Sequence, residues 1–260
     1  FRRVLFRSGD FPKQQIFAMN ERGINTEGLQ IKENEKSFFW SGKYHLDMNT
    51  RDTLATELNV VASFDPIIPE GFQKTDYLML GNLMPSIQRS VLERISKRPR
   101  LVVMDTMNFW MENSRKDLDD MISKVDVLTV NDAEARELSN EYSLVKAARK
   151  ILKMGPRFLI IKKGEHGALL FSQDEVFFAP AMLLDDVVDP TGAGDSFAGG
   201  FIGYLAKMND TSFSAMKKAI VTGSAMASFT CEDFGPDALL KVNEDRLNAR
   251  IAVFGDMVRV

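Results

Sequence analysis

The run Asp189-Pro-Thr-Gly-Ala-Gly-Asp-Ser-Phe-Ala-Gly-Gly-Phe-Ile202 combines glycines, small residues and an acid in an order suited to handling an anion. An apolar, strand-type stretch ends in Val187-Val188, a small-residue turn follows, and then an apolar stretch with helical spacing. Asp195 falls in the first turn of that helix, where backbone N–H groups lack intrahelical partners and the helix dipole attracts negative charge. Gly192 and Gly194 carry no Cβ, so a bulky anion can approach the main chain closely. An acid beside such a cradle is a poor device for merely holding phosphate. It is a good one for taking a proton from a hydroxyl that attacks phosphorus.

The elements that would position this turn alternate between β and α. Strands are expected at Tyr77–Leu80, Leu101–Asp105, Val127–Val130, Phe158–Lys162 and Ala168–Phe171. Helices are expected around Ser86–Lys97, Arg115–Lys124, Ala133–Leu138 and Leu144–Met154, with Gly164–Gly167 as a glycine turn. Short apolar strands between amphipathic helices imply a mostly parallel sheet covered on both faces. Ligands of such sheets bind beyond the carboxyl ends of the strands. Asp105, Asn131, Lys162 to Gly164 and Asp189 to Asp195 all fall on that expected rim. Upstream, Phe11–Arg22 reads as a short helix stopped at Gly23, and residues 29–65 as a β excursion with strands at Ser37–Trp40 and Leu58–Phe64.

Composition narrows the partners. The 260 residues are 45% hydrophobic and 27% charged, with a formal net charge of −3. That balance gives no electrostatic footprint for nucleic acid, and no apolar run suits a membrane span. The single cysteine, Cys231, excludes an internal disulfide and fits a reducing cytoplasm, and packing is its simplest role. Two histidines, His45 and His166, leave little room for a histidine-rich metal site or a Ser-His-Asp hydrolase. The glycine turn is not a Walker loop, since no Gly-x4-Gly-Lys-Ser/Thr string occurs. It is not a dinucleotide fingerprint either, because Phe197 stands where a third glycine is needed.

Asp189-Pro-Thr-Gly-Ala-Gly-Asp195, with small residues continuing to Gly200, resembles the C-terminal signature of the ribokinase (PfkB) family of ATP-dependent sugar and nucleoside kinases. Asn131-Asp-Ala-Glu134 is similar to that family's Asn-x-x-Glu element, and Lys162-Lys-Gly-Glu-His-Gly167 to its nucleotide-side glycine turn, in the family's order. The resemblance implies a ribokinase-like three-layer α/β/α fold with a small β lid, and transfer of the γ-phosphoryl group of ATP to an alcohol of a small sugar. A nucleoside is the alternative acceptor. A catalytically silent nucleotide-binding protein on the same fold is the competing class.

Carried over residue by residue, the resemblance makes Asp195 the base, with the N–H groups of Gly192, Ala193 and Gly194 as the anion hole. Asn131 and Glu134 would organise Mg²⁺ through water, although Asn131 as an N-cap with Glu134 three residues on is the structural alternative. Lys162, Gly164 and Gly167 would lie near the nucleotide, while Lys162 could equally be a strand-end lysine in solvent. Asp189 and Thr191 would hold a monovalent cation such as K⁺, or simply shape the turn. Thr222–Ser228 reads as a small-residue helix that either borders the adenine pocket or packs against a neighbour.

The resemblance starts at Gly9. Residues 1–8 are set aside as a non-native or artefactual segment, 9–28 with 66–260 form the kinase core, and 29–65 the lid. The family's first core strand and Gly-Gly substrate motif are not seen before Gly9, so the chain is expected to be an N-terminally truncated kinase. The lid aromatics Phe38, Phe39, Trp40 and Tyr44 suit either homodimer contacts or the lid's own packing.

Overall fold

The structure, a computed structural model, describes residues 2–259, with side chains from Ser8 to Arg259. The chain divides into two compact units, one running to Thr75 and including Ser86–Pro99, the other formed by Asp76–Pro85 and the chain from Arg100 onward.

In the first unit β1 (Arg2–Ser8) pairs in parallel with β2 (Asn25–Lys32), and α1 (Lys13–Glu21) connects them. The expected stop after α1 is present, because Gly23 takes a left-handed φ of 70° that a side chain would resist. β3 (Phe39–Tyr44) and β4 (Arg51–Glu57) form an antiparallel hairpin. The strand expected at Leu58–Phe64 is a correction. Asn59 has a left-handed φ of 45°, and Asn59–Ser63 winds into a 3₁₀ turn. The Asn59 amide donates to the Ser37 carbonyl at 2.9 Å, and the turn buries Val60 and Phe64 together. The partner of β3 is instead the polar segment Arg51–Glu57, whose mostly exposed side chains carry no hydrophobic alternation to reveal it. α2 (Pro85–Arg94) follows.

The second unit holds a sheet of β5 (Tyr77–Leu80), β6 (Leu101–Asp105), β7 (Val127–Asn131), β8 (Phe158–Lys162), β9 (Ala168–Phe171) and β10 (Val176–Ala179). They lie in the order β10-β9-β8-β7-β6-β5, parallel from β5 through β8 and antiparallel at β9 and β10. The helices are α3 (Asn108–Asn113), α4 (Arg115–Ile122), α5 (Asp132–Ser139), α6 (Leu144–Leu152), α7 (Ala193–Met208), α8 (Phe213–Cys231) and α9 (Glu244–Met257).

Val103, Val127 and Ile160 pack against Phe197 and Phe201 of α7 and Met216 and Ile220 of α8. The alternate residues Val102, Met104, Leu128, Leu159 and Ile161 are buried on the opposite face, as strand periodicity requires. α5 and α6 adjoin β7 and β8 and bury Leu138 and Ile151. A mostly parallel sheet flanked by helices is the architecture the sequence implies.

α7 and α8 approach so closely that two glycines become necessary. A Cβ on Gly223 would lie 2.7 Å from the Phe197 carbonyl oxygen, and one on Gly200 3.0 Å from the Gly223 Cα. Close helix packing therefore requires glycine at 200 and 223.

A second correction concerns Val187-Val188. The edge strand is Val176–Ala179, and residues 180–192 form an irregular connection. Val188 donates its N–H to the Cys231 carbonyl at the end of α8, at 2.8 Å, rather than to a sheet neighbour. The 189–195 turn is thus carried by two helices, α7 and α8, and not by a strand. No described helix is long and apolar enough to cross a membrane.

Candidate active site

Asp105, Asn131 and Lys162 are the last residues of the neighbouring parallel strands β6, β7 and β8. The register sets Asp105 opposite Thr129 and Asn131 opposite Lys162. The Thr129 hydroxyl donates to Asp105 Oδ1 at 2.8 Å, and Lys162 Nζ donates to the same oxygen at 3.1 Å. The ion pair is largely enclosed, with side-chain exposures of 20% for Lys162 and 10% for Asp105. Burial pulls the Lys162 ammonium down, but Asp105, Glu134 and Asp195 outweigh it and leave the group above the ordinary lysine range. Lys162 is therefore not a strand-end lysine loose in solvent.

At the start of α5 the Asn131 side chain accepts the Glu134 N–H at 2.8 Å, and Glu134 Oε2 accepts the Asn131 N–H at 2.7 Å. This reciprocal capping box satisfies two orphan donors, and Glu134 is buried. The structural reading of the Asn-x-x-Glu spacing is thus realised, with a carboxylate held in one orientation beside Lys162.

The start of α7 is built differently. Its N-cap is Gly192 in a left-handed conformation, φ 85°, and no side chain caps the helix. Asp189 Oδ1 accepts the Thr191 N–H at 2.9 Å, which shapes the turn. The Ala193 N–H donates to the Pro190 carbonyl at 3.1 Å, so in this conformation Gly192 and Gly194, not Ala193, carry the amides available to an anion. Asp195 is exposed, while Ser196 next to it accepts the Thr230 hydroxyl at 2.7 Å, tying the first turn of α7 to α8. A Cβ built on Gly194 would lie 3.5 Å from Lys162 Nζ, so the ammonium sits beside this turn. The structure thus brings together Gly194 and Lys162, and Lys162 feels the charges of Glu134 and Asp195.

In the Gly164–Gly167 turn, the Lys163 N–H donates to the Gly167 carbonyl at 2.8 Å. Gly164 and Gly167 have φ of 54° and 83°. A Cβ on Gly167 would lie 2.0 Å from the Ala179 carbonyl oxygen, so close backbone approach requires glycine there. Beside this turn Lys163, Glu165, His166, Phe178, Leu183 and Met257 border an open cleft of about 330 Å³.

Cys231 is a free cysteine whose thiol is pushed up, first by burial and then by Asp189 and Glu232, in keeping with a packing role. Among the described residues no cluster of three or more His, Cys, Asp or Glu is arranged to hold a metal. Thr129 and the Asp105–Lys162 bond escaped the sequence reading. The available signal was a threonine inside an otherwise apolar, buried strand.

A helix-covered, mostly parallel sheet and, at the start of α7, an uncapped glycine turn with an acid in its first turn lie in one compact unit. Residues 4–242 match the pfkB family of carbohydrate kinases, and the chain belongs to that family. A cytidine kinase of Thermococcus kodakarensis is 29% identical over 202 residues, covering 75% of this chain and 70% of that protein. A nucleoside kinase of Methanocaldococcus jannaschii is 25% identical over 209 residues, covering 76% of this chain but only 56% of the relative. The solved structure of the M. jannaschii nucleoside kinase, an archaeal member of the ribokinase family, superposes with a TM-score of 0.76 at 21% identity, covering 97% of this chain and 80% of that one. The ribokinase-like fold is thereby established. The family consists of ATP-dependent kinases of sugars and nucleosides.

Proposed function

We propose that this protein transfers the γ-phosphoryl group of ATP to a hydroxyl of a sugar, free or within a nucleoside, with Asp195 as the base. The observation that carries this reading is the start of α7, where a left-handed glycine replaces a side-chain cap and an acid stands in the first turn. As the acceptor oxygen bonds to the γ-phosphorus, Asp195 takes its proton. The bond from phosphorus to the bridging oxygen breaks and ADP leaves. The Gly192 and Gly194 N–H groups offset charge on the phosphoryl oxygens, and such transfers rely chiefly on this kind of positioning and electrostatic support.

Magnesium would neutralise phosphate charge when bound. Its shell of waters suits one rigid carboxylate nearby, and Glu134, fixed by the Asn131 N–H, is that carboxylate. Asp189 and Thr191 supply oxygens for a potassium ion on the same turn, which stimulation of turnover by potassium over sodium would check. The cleft beside the glycine turn, bordered by Lys163, Glu165 and His166, would take the nucleotide base. The β3–β4 hairpin belongs to the segment that the family resemblance reads as a lid, and Phe38 and Phe39, about half exposed, offer a homodimer surface. The working compartment is the cytoplasm, without nucleic-acid or membrane partners.

Among the relatives that align over about three quarters of this chain, a cytidine kinase and a nucleoside kinase stand beside a 1-phosphofructokinase of Haloferax volcanii, and the first two support a nucleoside acceptor. A screen of nucleosides and free sugars with MgATP, read by ADP release and mass of the product, tests this. Phosphorylation of cytidine, adenosine or inosine is expected. Product from free sugars alone would shift the acceptor class, and nucleotide binding without any product would support a silent relative.

A further inference from the structure

Resting on the phosphotransferase reading above, we propose that Lys162 presents its ammonium to the transferred phosphoryl group at the start of α7, and that Asp105, anchored by Thr129, is the positioning residue that holds it there.

The need for such a group follows from the site itself. Asp195 lies in the same turn as the amides meant for an anion, so its carboxylate repels the group it must act beside. Two neutral N–H groups and a helix dipole offset that repulsion only in part, whereas an ammonium adds a charged donor that can turn to a phosphoryl oxygen while still paired with Asp105. Lys162 is placed for this. Nζ reaches across the rim of β7 to Asp105 on β6, a distance of 3.1 Å. The receiving oxygen also accepts the Thr129 hydroxyl at 2.8 Å, which fixes the carboxylate and, through it, the ammonium. The residue facing Nζ from α7 is Gly194, where even a Cβ would come within 3.5 Å. The ammonium thus borders the first turn of α7 directly, beside the Gly194 amide.

A role in stability alone explains the pair less well, since a buried ion pair contributes little net stability compared with an apolar pair of the same volume. A nucleotide contact on the α- and β-phosphates is the other reading, and it predicts something different. An ammonium aimed at the transferred group discriminates ATP from ADP. One aimed at the inner phosphates does not.

The test is titration calorimetry of the chain with MgATP and with MgADP. Lys162→Met is expected to weaken ATP by roughly tenfold or more, as for loss of a charge-assisted hydrogen bond, and ADP by less than about threefold. Because this variant leaves Asp105 buried without its partner, Asp105→Asn/Lys162→Met is measured beside it. The double variant leaves no unpaired buried charge, its amide at position 105 still accepts the Thr129 hydroxyl, and it should keep the fold and show the same selective loss of ATP.

Asp105→Asn alone retains an acceptor for Thr129 but removes the largest of the three carboxylate charges that hold the lysine up against burial. ATP affinity should then decline with rising pH in a range where the unaltered protein is flat, a readout that a merely structural role would not move. Equal weakening of ATP and ADP, no weakening of either, or an unchanged pH profile in Asp105→Asn would overturn the proposal. Failure of the unaltered protein to bind either nucleotide would remove the phosphotransferase reading and this inference with it. Selective loss of ATP confined to the variants supports both.

Discussion

The starts of α5 and α7 each carry an acid in the first turn, yet they treat their backbone amides in opposite ways. At α5, Asn131 and Glu134 satisfy each other's N–H groups and the carboxylate is buried. At α7, a left-handed glycine occupies the cap, no side chain closes the helix end, and the acid in the first turn is exposed. The first arrangement stabilises a fold. The second leaves the helix start without a side-chain cap, and on the proposed reading its donors and the neighbouring ammonium of Lys162 meet the transferred phosphoryl group. An Asp or Glu at a helix start thus has no fixed meaning: at α5 the carboxylate closes on the chain's own amide, and at α7 it does not cap the helix.

The comparison can be broken most severely at Asp195. Asp195→Asn should lower turnover by roughly 10²–10⁴, as for loss of a general base, while MgATP affinity stays within about threefold. Steady-state kinetics and calorimetry together check both halves. Because no side chain caps α7, the same variant should shift the urea midpoint little. Gly223→Ala forces a methyl to 2.7 Å from the Phe197 carbonyl and should cost about 1–3 kcal/mol in denaturant unfolding.

At α5 the expectation reverses. Asn131→Ala removes a real cap and should cost about 0.5–2 kcal/mol of stability. Equal stability losses at Asp195 and Asn131 would erase the distinction.

The smallest effect concerns pH. Lys162 is held above the ordinary lysine range in the folded protein, first against burial and then by Asp105, Glu134 and Asp195. A group with a raised folded pKa contributes stability that is fully present below its unfolded pKa and is lost as pH rises through the folded one. The contribution should therefore be flat across neutral pH and fade only in alkaline solution. Lys162→Met, followed by denaturation against pH, should lack that alkaline component.

The alternating α/β pattern was legible because β6, β7 and β8 are short runs buried on both faces, which read as continuous apolar segments. Arg51–Glu57 was not, since its pairing depends on hairpin geometry rather than on an apolar face. Val187-Val188 misled because β-branched pairs favour strands only where a sheet neighbour is at hand, and their neighbour is the end of α8. The helix starts were visible because Asn131 with Glu134, and Gly192 with Asp195, are close in sequence. Asp105, Thr129 and Lys162 converge only when three parallel strands are set in register, so no spacing along the chain announces them.

Amide exchange by NMR, with and without MgADP and aluminium fluoride as a mimic of the transferring phosphoryl group, tests the contrast between the helix starts most directly. The account predicts that the Gly192 and Gly194 N–H groups gain protection on binding, while those of Asn131 and Glu134 are protected already and change little. New protection at Asn131 and Glu134, with Gly192 and Gly194 unchanged, would contradict it.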